Sequence, residues 1–488
     1  MSAVPVVATP IADALVLGGA PRVGRARPDE AIETETVDDL VERVRPVAAR
    51  AVDALEVAAA LEAGGITDDV ARVGYGYADV FVLAEEVHRR VGPADATVAV
   101  AASPPPSSAL GDVTHGLLYL LPAAVFPAAL AVLGRRSLVL GLVLAAFVGW
   151  VWAGGATWLA YRLLGRGHAG SAARVLRWAA VAGLPVTAAA SVAVIATTRA
   201  GYGLAAMATA QMAFQMAAAV LMFYRREIWL FAAMAPGAAA GVAYLVADDR
   251  LLPMAVVLGA GSVAVTFGIA LRHTMGHGEG VEPRLRDGMG AELGQLRLVL
   301  LYTALSAAYL LHAQGPYMLD RFDIVVAVVP LIVGMGVVEW RARRFGDTSR
   351  ALLRTVRQPR EFVAAVRLVV ARDVAVCVGA VAIAAAALIA ALHAADLLSA
   401  AAVLMTTASV VLGGAYFAGF VLANMGRFAW LCGSLATCLA AHLVLTAAAP
   451  GGLSPVADTL AFLVSAVLLF LLLVTALVGC VGQARHHR

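Results

Sequence analysis

The chain has 488 residues, of which 61% are hydrophobic and only 14% are charged, and its mean hydropathy is +0.84. Charged residues make up about 25% of ordinary soluble domains, so this composition excludes a soluble globular protein for most of the chain. Repeated apolar runs have the length of about 20 residues that a helix needs to cross a bilayer. We therefore predict an all-α integral membrane protein that crosses the membrane many times.

The basic and sulfur-containing residues add two constraints. All 36 basic residues are arginine, which, with the excess of alanine and valine, is typical of a GC-rich genome and does not indicate a function. The four cysteines all lie in predicted spans and form no C-x-x-C pair; they are Cys377, Cys432, Cys438 and Cys480. We therefore predict neither a zinc site nor a disulfide framework, and no cofactor.

The N-terminal part differs from the rest of the chain, since residues 1–107 carry 17 acidic residues against nine arginines. Proline and aspartate interrupt residues 1–30, which favours disorder there over a cleaved signal peptide. Thr36 and Asp39 have the spacing of a capping box, and apolar residues follow at helical spacing. The run SPPPSS is typical of a linker. The predicted organisation is an acidic cytoplasmic helical module over 31–92, followed by a Pro/Ser-rich linker over 93–113.

From residue 114 onward the hydropathy pattern predicts about twelve transmembrane helices. The predicted spans are 114–133, 138–161, 175–198, 203–224, 228–247, 252–271, 296–314, 322–340, 374–395, 399–423, 429–448 and 457–481. They divide into two six-helix bundles, 114–271 and 296–481, joined by a cytoplasmic connector over 272–295 and followed by a cytoplasmic tail over 482–488.

The distribution of arginine predicts the orientation in the membrane. One set of loops and termini holds 22 arginines after residue 107, and the opposite set holds five, including the Arg135–Arg136 pair. Because positively charged loops stay on the cytoplasmic side, both termini are predicted to be cytoplasmic. We accordingly expect a multi-pass protein of the cytoplasmic (inner) membrane.

The two halves carry related features at matching positions. Residues 225–233 (RREIWLFAA) and 426–434 (GRFAWLCGS) both contain Arg-x-x-Trp-Leu at a predicted cytoplasmic turn. A long basic segment follows the second span of each half, at 161–178 and 341–373. A chance match at a membrane boundary is the alternative, since arginine and tryptophan are both common there. A parallel repeat of six spans is one of the known transporter layouts.

This layout resembles the multidrug/oligosaccharide-lipid/polysaccharide flippase superfamily. The segment DRFDIVVAVVPLIVGMGVVEWRARRF, residues 320–345, is followed by a basic stretch and four more spans, and looks most like the polysaccharide-exporting branch. The Pel-type exporter membrane subunit is the nearest family. The resemblance covers roughly 114–481 and implies export of a saccharide, whereas the acidic module before it departs from the family pattern.

Two glutamines lie within a predicted span. Gln211 and Gln215 are one helical turn apart in the fourth span, among methionines and a phenylalanine. Polar groups inside a membrane are costly and often functional, so this pair is a candidate for the substrate pathway. The alternative is hydrogen bonding between helices.

By the resemblance, the first and seventh spans line the central cavity of the transporter. The seventh span has polar and aromatic residues on roughly one face, and the first span contributes one more. The pathway candidates are Tyr119, Tyr302, Ser306, Tyr309 and His312. Their aromatic and hydroxyl groups suit neutral sugars, and ordinary interior packing is the alternative.

The end of the eighth span is the second candidate region. The predicted inner gate or bundle interface consists of Glu339, Trp340, Arg341, Arg343 and Arg344. Glu339 has the i,i+4 spacing to pair with Arg343. The span is predicted to end here, and 341–373 to form a basic amphipathic loop with two short helices on the inner leaflet.

The sequence is compatible with three classes of function. The first is a flippase or exporter subunit that moves a polysaccharide or lipid-linked saccharide by alternating access. The second is a non-transporting membrane scaffold whose module 31–92 recruits a cytoplasmic polysaccharide synthase or regulator. The third is a drug or cation exporter of the same superfamily, which the absence of a carboxylate deep in a span disfavours. The expected partners are membrane lipids and a saccharide, and no nucleic acid.

Enzymatic activity and a metal site are not favoured. The loops on the predicted outer side are only a few residues long, which leaves little room for an acceptor-binding domain. His273 and His277 have helical spacing for a metal, but glycines interrupt the segment and no third strong ligand is fixed. The sequence contains no usable nucleotide-binding or hydrolase motif.

Overall fold

The computed structural model describes residues 36–48, 51, 53–91, 118, 121–275, 289–356, 359–448 and 452–481. Four of the predictions lie outside these ranges: the disorder over 1–30, the linker over 93–113, the role of Tyr119 and the tail over 482–488. The chain divides into two compact units, one within residues 10–107 and one from residue 108 to the C-terminus.

The first unit is a small four-helix module. Its helices are α1 (Val37–Ala48), α2 (Ala54–Ala63), α3 (Asp68–Tyr75) and α4 (Val80–Val91). The predicted capping box is present, since Thr36 Oγ1 accepts from the Asp39 amide at 3.2 Å and Asp39 Oδ2 accepts from the Thr36 amide at 3.1 Å. Leu40, Leu61 and Leu83 lie in one apolar core with at most 1% of their surface exposed. The module therefore has a core of its own.

We expect this module to lose part of its stability in acid through Glu86. Hydrogen bonds from Arg89 and Arg90 lower the pKa of the Glu86 carboxyl from 4.5 to about 2. A carboxyl whose pKa is lower in the folded state stabilises that state above pH 4.5, and the contribution disappears as the pH falls towards 2. Glu86→Gln should therefore destabilise the module at pH 7 and have no effect near pH 2, as measured by chemical unfolding followed by circular dichroism.

The second unit is entirely helical in its described residues. After a 3₁₀ turn at Leu121–Val125, its helices are α5 (Phe126–Leu133), α6 (Arg135–Gly165), α7 (Ala169–Thr198), α8 (Gly203–Phe223), α9 (Glu227–Val246), α10 (Leu252–Met275), α11 (Met289–Gln314), α12 (Val329–Thr355), α13 (Pro359–Ala394), α14 (Ala400–Asn424), α15 (Phe428–Ala447) and α16 (Pro455–Val481). Eleven helices of the described chain are long and apolar enough to cross a membrane. The predicted first span, 114–133, is described only in part, and its described residues form the 3₁₀ turn and α5.

The helices of the first bundle approach one another closely at glycines. A methyl carbon placed on Gly141 of α6 would lie 2.9 Å from the Leu204 carbonyl oxygen of α8. On α9, the Gly237 amide donates to Ser262 Oγ of α10 at 3.0 Å. Trp152 Nε1 of α6 donates to the Ala179 carbonyl of α7 at 2.8 Å. Since apolar side chains gain little by leaving lipid, such close packing and interhelical hydrogen bonds hold membrane helices together.

The second bundle is built around α14, which packs against α12, α13 and α16. Residues 412–423 of α14 are buried without interruption, which means that neighbours surround this part of the helix. Gly414 allows the Phe470 ring of α16 to approach, because a methyl carbon on that glycine would lie 2.8 Å from it. The helix α14 is therefore the central helix of the second bundle.

The predicted boundary at the end of the eighth span is wrong. The helix α12 continues through Glu339 and Trp340 to Thr355, and α13 begins at Pro359. At 1.5 Å per residue the 36 residues of α13 extend about 54 Å, whereas the hydrocarbon core is about 30 Å thick. Segment 341–373 is therefore not a loop with two short helices, but the basic ends of two long helices.

The physical reason is that the buried face of each helix continues through the segment 341–373. On α12, Ala342 and Phe345 are buried, and on α13, Phe362, Val366 and Val370 are buried. These residues belong to the same apolar core as the membrane-spanning residues of the second bundle. The sequence pattern showed their helical spacing, but it could not show that the two faces pack against each other.

A buried ion pair joins these two helices. Arg341 of α12 donates to Asp373 of α13, and their side chains are 9% and 1% exposed. Removing one partner of a buried pair leaves an uncompensated charge, which costs about 3–5 kcal/mol. We therefore expect Asp373→Asn to lower the melting temperature of the purified protein strongly, whereas the double change Arg341→Met with Asp373→Leu should restore most of it.

Arg350→Gln is the matched control for this experiment. It breaks the exposed pair between Arg350 and Asp347 on the same helix, and exposed pairs contribute at most about 1 kcal/mol. Equal melting temperatures for Asp373→Asn and Arg350→Gln would show that the buried pair does not stabilise the bundle.

Candidate functional site

The two bundles contact each other along α6 and α11, in the halves of these helices nearest the arginine-rich end. The arginine-rich end is the end of the membrane unit that carries Arg162, Arg226, Arg297 and Arg427. The opposite end is called the far end. A methyl carbon on Gly154 would lie 2.8 Å from Thr303 Cγ2, and one on Gly155 would lie 2.6 Å from Leu300 Cδ2. The two glycines therefore allow α6 and α11 to approach within direct packing distance.

Polar and aromatic groups continue this contact towards the arginine-rich end. Arg162 of α6 donates to Gln295 Oε1 of α11 at 3.0 Å. The Arg162 guanidinium also lies 5.6 Å from the centre of the Trp158 ring. Trp158 is 1% exposed and packs within the apolar core of the second bundle, although it belongs to the first. The contact thus closes the bundles on each other at the end predicted to be cytoplasmic.

The two predicted glutamines lie inside the first bundle. Gln211 and Gln215 are both half-buried on α8. The Gln215 amide packs directly against Gly149 of α6, where a Cβ atom would overlap it, and its Oε1 is buried with no hydrogen-bond partner. Gln215 therefore contacts the same helix, α6, that carries the bundle contact.

Tyr302 and Ser306 line a small cavity inside the second bundle. The cavity lies between α11, α14, α15 and α16, and Tyr416 and Gly419 of α14 form its opposite wall. All of the other lining residues are apolar. A cavity of this kind with two or three polar groups suits a single water molecule. These two candidates therefore face the interior of one bundle.

Tyr309 and His312 belong to a polar row that continues along α11 to the far end. The Tyr309 hydroxyl shares a hydrogen bond of 2.8 Å with Ser465 of α16. The His312 ring lies 5.2 Å from the His442 ring of α15, between centroids. His442 Nε2 in turn lies 3.3 Å from Asp458 Oδ1 of α16. Four predicted residues, Tyr302, Ser306, Tyr309 and His312, thus do share one face of α11, and that face packs on α14, α15 and α16.

The predicted gate residues lie in the middle of α12. Trp340 stacks with two arginines, whose guanidinium carbons are 5.1 Å (Arg341) and 5.8 Å (Arg344) from its ring centre. Arg341 is held by Asp373 within the second bundle. These three residues therefore stabilise contacts within the bundle, and the role of Glu339 and Arg343 in a gate stays a prediction.

The sequence did not indicate Asp458, His442 and Tyr317 as site residues. Asp458 lies in the first turn of α16, where an acidic residue is favourable for any helix, so its position alone does not predict burial. Yet it is 7% exposed and accepts a hydrogen bond from the Tyr317 hydroxyl at 2.6 Å. His442 is a single histidine in an apolar run. Only the folded arrangement brings the three together.

The metal hypothesis at His273 concerns a segment that is only partly described. His273 lies 6.5 Å from the Tyr224 ring, between centroids, while His277 and Glu279 fall outside the described residues. Within the ranges that the structure describes, no group of three or more His, Cys, Asp or Glu side chains is arranged to hold a metal ion.

Comparison with known proteins gives a structural match without a sequence match. No family model and no curated protein matches the sequence. Among solved structures, the chain is similar to the crystal structure of MATE in complex with MaD3S, with a TM-score of 0.51 and 12% identity over 76% of this chain and 94% of that one. The chain shares its fold with this MATE structure. The crystal structure of MATE in the bent conformation is also similar, at 12% identity over 77% and 93% of the two chains. Its TM-score of 0.41 is too low to show a shared fold.

The comparison confirms part of the prediction made from the sequence. The predicted all-helical fold is confirmed, since the described chain has eleven helices long and apolar enough to cross a membrane and shares its fold with the MATE structure. The polysaccharide-exporting branch, the Pel-type exporter subunit, the inner membrane as the location and the cytoplasmic position of the termini stay predictions.

The contact between α6 and α11 can be tested by cross-linking. A Cβ atom on Gly154 would lie 3.6 Å from Thr303 Cβ, within the range of about 3.5–4.5 Å for a disulfide. In a chain whose four native cysteines are replaced by alanine, Gly154→Cys with Thr303→Cys should form a disulfide on oxidation. With a protease site inserted at 276–288, the two halves should stay linked on a non-reducing gel after cleavage.

Gly154→Cys with Gln314→Cys provides the negative control. Thr303 and Gln314 are 11 residues apart on α11, which is about 16 Å along a helix. Gln314 is therefore too far from Gly154 for this pair to cross-link. Equal cross-linking of both pairs, or none for the first, would contradict the described contact.

Proposed function

We propose that the chain is a membrane exporter or flippase that moves its substrate by alternating access between two six-helix bundles. The observation that carries this proposal is the contact between α6 and α11, which joins the bundles near the arginine-rich end. Opening that contact exposes the region between the bundles to the arginine-rich side. The fold shared with a MATE structure supports the same function.

The proposed substrate is a polysaccharide or a lipid-linked saccharide, and the proposed location is the cytoplasmic membrane with both termini inside. The resemblance of 320–345 to the polysaccharide-exporting branch supports this class. Module 31–92 gives a means of recruiting a cytoplasmic polysaccharide synthase or regulator, because it is a separate compact unit.

A drug or cation exporter is the second candidate, and one observation favours it. The sequence shows no carboxylate deep in a span, and Asp458 lies in the first turn of α16, but its side chain is buried inside the second bundle beside His442. Buried ionisable groups of this kind are typical of ion-driven transporters. The two candidates share the alternating mechanism and differ in substrate.

Proteoliposomes that contain the purified full chain distinguish these candidates. One preparation measures uptake of ethidium, as a probe for an organic cation, and the other measures flipping of a fluorescent undecaprenyl-linked disaccharide. Movement of the saccharide alone supports the first candidate, and movement of ethidium alone supports the second. A non-transporting scaffold moves neither probe.

The cross-linked pair tests the mechanism itself. Oxidation of Gly154→Cys with Thr303→Cys should reduce transport of the active probe at least tenfold, because the bundles can no longer separate near the arginine-rich end. Reduction of the disulfide should restore transport. Unchanged transport after complete oxidation would exclude opening at this contact.

Gly334→Cys with Val381→Cys serves as the matched control. These positions lie on α12 and α13 of the same bundle, and the expected Cβ separation is 3.5 Å. A disulfide here fastens two helices that move together in the proposed mechanism, so transport should not change on oxidation.

A further inference from the structure

A cluster of ionisable side chains is buried near the far end of the second bundle. His312 comes from α11, Tyr317 from the turn after it, His442 from α15 and Asp458 from α16. Asp458 contacts both Tyr317 and His442, at 2.6 Å and 3.3 Å, and the rings of His442 and His312 stand 5.2 Å apart. Four side chains from separate segments therefore form one continuous polar group.

The surroundings of this cluster are apolar. The Phe462 ring lies 5.7 Å from the His442 ring and 5.2 Å from the Tyr309 ring. His442 is 2% exposed and Tyr317 7% exposed. A charge in such a position is costly unless a partner of opposite charge compensates it. The carboxylate of Asp458 therefore favours a protonated imidazole next to it.

Two charged groups near this end, Arg321 and Asp323, are already engaged with each other. Arg321, which follows Tyr317 in the chain, forms an ion pair with Asp323 at 3.0 Å, and the hydroxyl of Ser399 donates to the same carboxylate at 2.5 Å. Asp320 lies at an exposed position in the same turn. Arg321 and Asp323 compensate each other, so the charge on the cluster depends on its own protons.

One atom of the cluster has capacity for a further proton. His312 Nε2 is buried and makes no hydrogen bond, whereas His442 and Asp458 bond each other. With one proton shared by the two imidazoles the cluster is neutral, and a second proton on His312 makes it positively charged.

The helix that carries His312 also carries the bundle contact. Thr303 packs against Gly154 of α6, and His312 is nine residues further along α11, which corresponds to about 14 Å. A rigid helix transmits a displacement at one end to the other. A proton at His312 can thus bias the contact between the bundles, provided that it binds one arrangement of the helices more tightly than the other.

From these observations we propose that the cluster of His312, His442 and Asp458 is a proton-binding site that drives export, an inference that rests on the proposed function. A proton from the far side of the membrane forms an N–H bond at His312 Nε2. The same proton leaves that nitrogen when the bundles separate near the arginine-rich end. An O–H bond of a hydronium ion breaks as the N–H bond forms, a water molecule accepts the proton when it leaves, and no redox partner is needed.

Proton binding is measured directly on the full chain in nanodiscs. Spectra of the protein labelled with ¹⁵N-histidine are recorded between pH 5 and pH 9, and His312→Gln and His442→Gln assign the two signals. We expect the signal of His312 to change over this range, and the midpoint of that change to shift in Asp458→Asn. Signals that do not change over this range would overturn the proposal.

Transport under an imposed pH gradient is the second measurement. A gradient acid on the far side should accelerate transport of the active probe at least fivefold in the wild-type protein. The acceleration should disappear in His312→Gln. Since His312 Nε2 has no partner in the structure, this change should preserve the fold, which an unchanged melting temperature would verify.

His393→Gln is the matched control, because His393 is exposed at the far end of α13. This variant should keep the full response to the gradient. The same response in His312→Gln and His442→Gln as in wild type would overturn the coupling role. Failure of the proposed function gives a different result, in which the wild-type protein moves neither probe under any gradient.

Discussion

Close approach between helix backbones is the constraint on which the membrane part of this protein depends. Lipid tails are as apolar as leucine, so these helices gain little by hiding apolar side chains from lipid, and packing must supply the attraction. At Gly141, Gly237 and Gly414 a methyl group would already lie within 3 Å of a neighbouring helix. Glycines also allow close approach at Gly154 and Gly155, where the two helices belong to different bundles. At this contact the glycines allow close approach, and the buried Trp158 ring and the hydrogen bond from Arg162 to Gln295 add to it.

Three charged groups of the membrane unit each lie next to a partner of opposite charge. Arg341 pairs with Asp373 near the arginine-rich end, Arg321 pairs with Asp323 at the far end, and His442 pairs with Asp458. The first two pairs hold a permanent cation, because arginine keeps its proton at any physiological pH. The third holds a histidine, whose charge depends on pH. The first and third pairs are buried, whereas the Arg321 side chain is 36% exposed. Between the two buried pairs, the identity of the cation distinguishes a fixed link from a site that can change its charge.

The sequence could predict the features that depend on composition and local periodicity. Hydropathy predicted twelve spans, and eleven of them correspond to long apolar helices of the described chain; the spacing of Thr36 and Asp39 predicted the cap of α1. It failed at Glu339 and Trp340, because a tryptophan beside arginines marks a membrane interface whether or not the helix ends there. It also missed Asp458, because an acid in a first helical turn is ordinary. Burial of that side chain depends on Tyr317 and His442, which are 141 and 16 residues away. No local pattern records such contacts.

The helix α11 connects these observations physically. One of its faces presents Leu300 and Thr303 to the glycines of α6, and another presents Tyr309 and His312 to α15 and α16. Because a straight helix is stiff over this length, a displacement that relieves charge at His312 also moves Thr303. The energy needed is small: a change of one unit in the pKa of a single group between two conformations corresponds to about 1.4 kcal/mol, or a tenfold change in their ratio. This difference acts on a contact that combines glycine packing with the Trp158 ring and the hydrogen bond between Arg162 and Gln295.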